Sequence, residues 1–226
     1  MGEEMMIPKI KTLGLTALAV LAMSAFVASA AQAAPVFTAS AGTGTAIHGT
    51  GESIGEKFTI DGVTTECKTS HYTGTVTNGS STLTLNPTYT GCTFAGTGLS
   101  VHFKTNGCGY LLHLFSKFST SYDATLDFEC PAGQVIQIEG TGTSCEAAIG
   151  AQTGKESVHF TNSASDIVLR PSLNGTISWT SFTANVTKDG FLCPFNGTGT
   201  KTGGSFTSTG FITGTSAFGT IQVSGE

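Results

Sequence analysis

The chain has 226 residues, its formal net charge is −5, and charged residues make up only 11% of it. Ten basic residues against fifteen acidic ones leave too little positive charge to neutralise a nucleic-acid backbone or to attract an anionic lipid surface. We therefore expect no nucleic-acid partner.

The first 33 residues have the pattern of a secretory signal peptide. Two lysines precede the apolar stretch 13–27, and the Ala-Gln-Ala at 31–33 supplies the small residues that a signal peptidase recognises. The apolar stretch is shorter than the roughly 18 residues that a membrane span needs, and an uncleaved anchor is the alternative. The sequence predicts a signal peptide over 1–33, cleaved after Ala33. The product is then exported and soluble, without a membrane span, and is secreted or held at the cell surface.

Residues 34–226 have the composition of an all-β domain. Thr, Ser and Gly account for 84 of these 193 residues, and threonine favours strands while glycine favours turns. We expect a single all-β domain over 34–226, an antiparallel β-sandwich of many short strands joined by tight hairpins. Six dipeptides suit the type I′ turns of such hairpins: Asp61-Gly62, Asn78-Gly79, Asn106-Gly107, Asn174-Gly175, Asp189-Gly190 and Asn196-Gly197.

The first two of these dipeptides predict hairpins with a definite register. If each is a two-residue loop, facing residues share one side of the sheet, and in the second hairpin polar residues then face polar ones and apolar residues face apolar ones. The predicted pairs are Phe58 with Thr65 and Lys57 with Glu66 in the first hairpin, and Thr73 with Thr84 and Tyr72 with Leu85 in the second. In the first hairpin, the lysine and the glutamate form an opposite-charge pair across the outer face.

A third hairpin is predicted from the segments GCGYLLHLF (107–115) and YDATLDFEC (122–130). The second segment alternates strictly between apolar and polar residues, as a half-buried strand does. Folding it back on the first places Cys108 opposite Cys130, and facing residues lie about 4.5 to 5.5 Å apart at Cα, within disulfide reach. The sequence therefore predicts a Cys108–Cys130 disulfide.

All six cysteines follow the predicted signal peptide, and an even number in an exported chain indicates disulfides. The register of the second hairpin places Cys67 within two residues of the position opposite Cys92, which predicts a second bridge. Cys145 and Cys193 then pair by elimination, although six cysteines allow 15 connectivities. Structural zinc sites usually begin with two cysteines two to four residues apart. Because the sequence has no such pair, we expect no metal and no cofactor.

The polar face of the second strand of the third hairpin carries three carboxylates, Asp123, Asp127 and Glu129. In the predicted register His113 faces Thr125, diagonal to both aspartates. One imidazole and two carboxylates could support acid-base chemistry on a glycosidic bond or bind Ca²⁺. Strand alternation alone, however, places these carboxylates in water on the outer face. We therefore expect no catalytic residue; if the protein is an enzyme, the candidates are Asp123, Asp127 and His113.

Several segments resemble a group of uncharacterised exported proteins. The segments are TECKTSHYTGTV, LTLNPTYTGC, NGCGYLLH, DFECPAGQVIQI and CEAAIGAQTGKESVHFTN. They are similar to cysteine-bridged, β-rich proteins that some high-GC Gram-positive soil bacteria carry in multiple copies. The resemblance covers most of the chain between Phe58 and Asn162. It implies an exported β-rich fold and assigns no activity and no catalytic residue.

Many copies of one exported scaffold favour a surface, matrix or binding role over one specialised reaction. The sequence therefore predicts a non-catalytic structural, cell-envelope or ligand-binding role. The partners we consider are carbohydrate or other surface proteins. The alternative is a secreted polysaccharide hydrolase that uses a carboxylate pair.

Overall fold

The computed structural model describes residues 34–39, 46–118, 121–154, 157–162, 166–170, 179–214 and 221–224. The predicted signal peptide lies outside these ranges. None of the described residues is helical, and within them no helix has the length and apolar character of a membrane span. The described residues belong to one compact unit.

The described residues form sixteen β-strands. Buried and exposed residues alternate along them, as in the strand 121–129, where Tyr122, Ala124, Leu126 and Phe128 face inward. The strands are β1 (Val36–Ala39), β2 (Ala46–Ile60), β3 (Val63–Thr77), β4 (Thr82–Thr90), β5 (Cys92–Phe94), β6 (Ser100–Lys104), β7 (Gly109–Phe118), β8 (Ser121–Glu129), β9 (Ile136–Gly140), β10 (Cys145–Ile149), β11 (Ser157–Asn162), β12 (Asp166–Arg170), β13 (Trp179–Asp189), β14 (Gly199–Thr207), β15 (Gly210–Gly214) and β16 (Ile221–Ser224).

Fourteen of these strands close into an eight-stranded, up-and-down barrel. The hairpin of β2 and β3 runs along its full length. Each of the other six positions around the barrel holds two strands end to end, an upper and a lower one: β4 and β5, β7 and β6, β8 and β9, β11 and β10, β12 and β13, and β15 and β14. We call the level at which they meet the waist. Because β14 and β15 both pair with β2, the ring is closed.

The all-β, antiparallel prediction is confirmed, but the predicted β-sandwich is wrong. A sandwich consists of two packed sheets, whereas here one continuous hydrogen-bonded ladder returns to its first strand. The pattern of alternating residues shows which face of a strand is buried. It does not show whether the last strand pairs with the first, and the same pattern therefore fits both folds.

The hairpin predicted at Asp61-Gly62 is confirmed in its register. Both residues have positive φ, 52° and 77°, as a type I′ turn requires. Phe58 pairs with Thr65 on the inner face. On the outer face, Lys57 and Glu66 form a salt bridge of 2.6 Å.

The hairpin predicted at Asn78-Gly79 forms, but its register is shifted by two residues. Tyr72 pairs with Pro87 and not with Leu85. Only Gly79 has positive φ, 87°, and Ser80 N donates to Thr77 O at 2.9 Å. This is the pattern of a type II turn, which splays hairpin strands. The ladder therefore begins farther from the turn, but a shift of two leaves the same side chains facing inward.

Strand β1 covers this turn. Phe37 N donates to Ser80 O, and Gly79 N donates to Phe37 O, both at 2.8 Å. The Phe37 side chain is fully buried. β1 pairs with β16 in a separate two-stranded sheet, so this sheet fixes the upper end of the β3–β4 hairpin.

Three disulfides join strands or loops that are neighbours in the barrel. They are Cys67–Cys92, Cys108–Cys130 and Cys145–Cys193. The Cys67–Cys92 bridge follows from the two-residue register shift of the β3–β4 hairpin. Thr69 pairs with Thr90, and continuing this register by two residues places Cys67 opposite Cys92. The second lies in the predicted register, in which Tyr110 pairs with Phe128. Each bridge limits the unfolded chain and stabilises the fold by on the order of 3 to 4 kcal/mol.

Aromatic side chains fill the barrel at the waist. The Phe128 ring lies 4.2 Å from that of Trp179, and the Phe58 ring lies 4.8 Å from that of Phe206, measured between centroids. All four side chains are 3% exposed or less. Such tilted aromatic pairs pack tightly and leave little free space. Within the described residues, a site inside the barrel at the waist must therefore lie among these rings.

Candidate functional sites

A buried glutamate lies inside the barrel at the waist. Glu56 belongs to β2 and is two residues before Phe58, so strand alternation directs it to the same inner face. Its exposed fraction is 0%. A buried carboxyl group is costly unless it is hydrogen-bonded or loses its charge, and the contacts of Glu56 show both effects.

Hydroxyl groups from three other strands or loops surround the Glu56 carboxyl. Tyr72 of β3 donates to Oε2 at 2.9 Å, and Tyr110 of β7 donates to Oε1 at 3.4 Å. The Tyr72 hydroxyl also lies 3.3 Å from Ser208 Oγ, and the Tyr110 hydroxyl bonds to that of Tyr89. These five side chains form one hydrogen-bonded chain across the interior, which we call the waist cluster.

Burial changes the protonation of the waist cluster. Desolvation raises the pKa of Glu56 from 4.5 to about 7, and the neighbouring hydroxyls of Ser70, Tyr72 and Tyr110 oppose this rise only in part. The same desolvation raises the pKa of Tyr110 and of Tyr89 well above 10. Among the described residues, no cation pairs with Glu56. Its carboxyl therefore titrates near neutral pH and not near its usual value of 4.5.

A small cavity adjoins the waist cluster. Its volume is about 20 Å³, which is room for one water molecule. The pockets that hold organic ligands have volumes on the order of 300 Å³ or more. The interior next to Glu56 is therefore too full for such a ligand. The lining residues are Tyr72, Leu85, Tyr110, Leu112, Leu126, Val158, Phe206 and Ser208.

The carboxylates predicted on the outer face lie on β8 in the upper half. Asp127 accepts a hydrogen bond from Gly154 N at 2.8 Å, and its Oδ2 lies 3.2 Å from His113 Nε2. His113 faces Thr125, as the sequence predicted, and of the two aspartates it contacts Asp127.

Asp123 has its own partners. Ser116 Oγ donates to it at 2.8 Å, and His159, which faces it from β11, contacts its other oxygen. Both aspartates are half-buried, with 16% and 17% of their side chains exposed. Each carboxylate therefore ties β8 to neighbouring structure, and together with His113 and His159 they form what we call the outer acidic face.

The spacing of these carboxylates does not match a glycosidase pair. Asp123 and Asp127 are four residues apart on one strand, which corresponds to about 13 Å along it. Paired catalytic carboxyl groups lie roughly 5 to 9.5 Å apart. Glu129, two residues beyond Asp127, is exposed. The described residues also contain no group of three or more His, Cys, Asp or Glu side chains placed to hold a metal ion.

Sequence reasoning missed His159 and the five residues of the waist cluster. Extending the alternation of Ile60 and Phe58 back by two residues identifies Glu56 as inward-facing, so the signal for it was present. His159 could not be found in this way, because its contact with Asp123 depends on the pairing of β11 with β8.

The geometry favours structural hydrogen bonding over catalysis at both sites. The waist cluster is enclosed and the outer acidic face is internally paired. Comparisons of the chain with models of protein families, with curated proteins and with solved structures gave no match. Function is therefore inferred from geometry.

Proposed function

We propose that this protein is an exported, non-catalytic β-barrel domain with a structural or ligand-binding role in the cell envelope, and that it acts through its outer surface. The signal-peptide pattern of residues 1–33 supports export. Three disulfides also support it, because such bonds persist in oxidising compartments outside the cytosol. The resemblance to exported, multi-copy proteins agrees with this role, and carbohydrate or other surface proteins are the proposed partners.

The filled interior is the observation that carries this proposal. Eight-stranded barrels that bind a small ligand keep an open cavity inside, whereas others fill it with side chains. Here aromatic rings occupy the waist, and the cavity beside Glu56 measures about 20 Å³. Recognition of a partner is therefore assigned to the outer surface.

The hydrolase alternative has less support. It requires Asp123 and Asp127 to act together on one bond, but they lie about 13 Å apart along β8. Each carboxylate is also engaged by its own partners, a backbone N–H and an imidazole for Asp127, and a hydroxyl and an imidazole for Asp123. Contacts of this kind hold neighbouring strands and loops together.

A glycan panel tests this proposal. The exported protein, purified after processing in a secreting host, is assayed for binding and for cleavage beside its Asp123→Asn and Asp127→Asn variants. We expect no cleavage by any of the three proteins, and the same binding profile for all. Cleavage by the wild type that either substitution abolishes would overturn the non-catalytic assignment.

Export is tested separately. Sequencing the N-terminus of the protein from the culture medium or the cell surface should give a start at Ala34. Thiol labelling without reduction should modify none of the six cysteines. A product that keeps residues 1–33, or one that reacts with the label, would contradict export into an oxidising compartment.

A further inference from the structure

Two large apolar side chains are exposed together at the lower end of the barrel. The connection between β13 and β14, residues 190–198, carries Phe191 with 80% of its surface exposed and Leu192 with 54% exposed. Single exposed apolar residues are common on protein surfaces. Two adjacent ones at the tip of one loop form a projecting apolar pair, and the surrounding contacts hold this pair in place.

This loop is fixed on both sides of the pair. Gly190 N donates to Ser144 O at 2.7 Å, and Cys193 is bonded to Cys145. Phe195, farther along, is buried, and its ring lies 5.6 Å from that of Phe94. One phenylalanine of the loop is therefore anchored in the core while the other points into solvent. The contacts on both sides of the pair therefore keep Phe191 and Leu192 exposed.

The backbone at Leu192 gives a second sign of function. Leu192 has a φ of 63°, a left-handed conformation that glycine or asparagine adopts readily and a bulky side chain does not. Strain of this kind is retained where the side chain itself is needed. A turn with no other purpose would carry glycine or asparagine at this position.

The lower end of the barrel has almost no charge in its connections. The four connections there are 61–62, 95–99, 141–144 and 190–198, and their one charged residue is Asp61. Asp61 is paired with Lys201, whose Nζ lies 2.8 Å from its carboxylate. At the end of β13, Asp189 adds a negative charge, and the lysine beside it, Lys188, is paired with Glu146. Because Lys188 and Lys201 are each paired with a carboxylate, the loops of this surface can leave bulk water without burying an unpaired charge, and the lysines give little attraction for anionic groups.

From these observations we infer that the lower end of the barrel docks on an uncharged lipid–water interface, with Phe191 and Leu192 inserted among the lipids. This inference rests on the proposed function, since it requires an exported domain that acts through its surface. Two side chains cannot bury the roughly 800 Å² per partner of a stable protein interface. A lipid surface needs no complementary shape, and its affinity follows the apolar area that is inserted.

Flotation with phosphatidylcholine vesicles tests the inference. The processed protein is compared with Phe191→Ser, Leu192→Asn and the double variant. Phe115→Ser is the matched control, because Phe115 is also exposed, at 53%, but lies on β7 in the upper half. We expect the wild type and the control to float with the vesicles. Phe191→Ser should lower the partition coefficient about tenfold, and the double variant should abolish flotation.

The thermal midpoint separates binding from folding. Asparagine tolerates a left-handed backbone, so Leu192→Asn should keep the melting temperature at or above that of the wild type while its flotation falls. A wild type that does not float, or a double variant that floats as well as the wild type, would overturn the inference. So would concentration-dependent dimerisation in light scattering that Phe191→Ser abolishes, because the occupant would then be a second copy. The outcome of the glycan assay does not depend on lipid binding, so a failure of this inference can be distinguished from a failure of the proposed function.

Discussion

The waist cluster and the outer acidic face hold the same kind of group in opposite ways. Glu56 is completely buried, and its partners are the uncharged hydroxyls of Tyr72 and Tyr110. Asp127 keeps 17% of its side chain in contact with water, and a histidine and a backbone N–H bind it. Water and imidazole can support a negative charge, whereas the waist cluster supplies only hydroxyl hydrogen bonds.

The difference shows that the surroundings of a carboxyl group decide what it contributes to the fold. The waist cluster favours the protonated form of Glu56, so folding should be linked to pH through this residue. The outer acidic face bonds strands together through polar contacts near the surface, and such contacts contribute modestly. Four predictions test this contrast.

The largest expected effect is the pH dependence of stability that Glu56 causes. Its pKa is about 7 in the folded protein and 4.5 when exposed. Between these values the folded state holds a proton that the unfolded state has released, so stability is full below pH 4.5 and is lost as the pH rises through 7. The free energy of unfolding should fall by about 3 kcal/mol through Glu56 alone.

Urea unfolding at about pH 4.5, 6 and 8 measures this effect, with Glu56→Gln as the control. Glutamine keeps the shape of the side chain and cannot titrate, so the variant should lack this part of the pH dependence. Equal slopes of stability against pH in the two proteins would show that the waist cluster does not favour the protonated carboxyl.

The sequence predicts the features of the fold that depend on local patterns, and it does not predict those that depend on turn type or on pairing between distant segments. The β7–β8 register was predictable because strict alternation from Tyr122 to Cys130 meets an apolar run that also carries a cysteine. The shift at Asn78-Gly79 was not, since it depends on the turn type adopted there. Closure of the barrel depends on β14 and β15 returning to β2, a pairing between distant segments that no local pattern encodes.

The same distinction between local patterns and long-range pairing applies to the residues of the two sites. The position of His113 opposite Thr125 came from a local hairpin and is confirmed. Glu56 could have been identified from alternation, but its partners Tyr110 and Ser208 come from distant parts of the chain. Their contacts with it, and therefore its raised pKa, become visible only when the barrel is closed.

The second largest effect is expected from Tyr72→Phe, which removes the shorter of the two tyrosine hydrogen bonds to Glu56. A hydrogen bond to a charged acceptor is stronger than one to a neutral acceptor. The loss of stability should therefore be about 2 kcal/mol at pH 8 and about 1 kcal/mol at pH 5. Denaturant unfolding at both pH values measures it. Tyr122→Phe is the control, because the Tyr122 hydroxyl has no hydrogen bond among the described residues; equal losses in both variants would contradict a specific role for Tyr72.

A smaller effect is expected on the outer acidic face. Asp127→Asn keeps an oxygen that can accept the hydrogen bond from Gly154 N but removes the charge beside His113. We expect a loss of about 1 kcal/mol or less. A double-mutant cycle with His113→Gln should give a coupling energy below about 1 kcal/mol. A larger coupling would mean that this face contributes as much as the waist cluster.

The smallest effect is expected from Glu66→Gln, in the same hairpin as Glu56. Glu66 bonds Lys57 at 2.6 Å, but both side chains are more than 40% exposed. Water and salt screen such a pair, so the loss should be about 0.5 kcal/mol or less and should shrink further in about 1 M salt. Glu66 and Glu56 lie on opposite faces of one hairpin, and unfolding curves of the two glutamine variants compare them directly. If Glu66→Gln removed as much of the pH dependence of stability as Glu56→Gln does, burial on the inner face would not be the cause of the Glu56 effect.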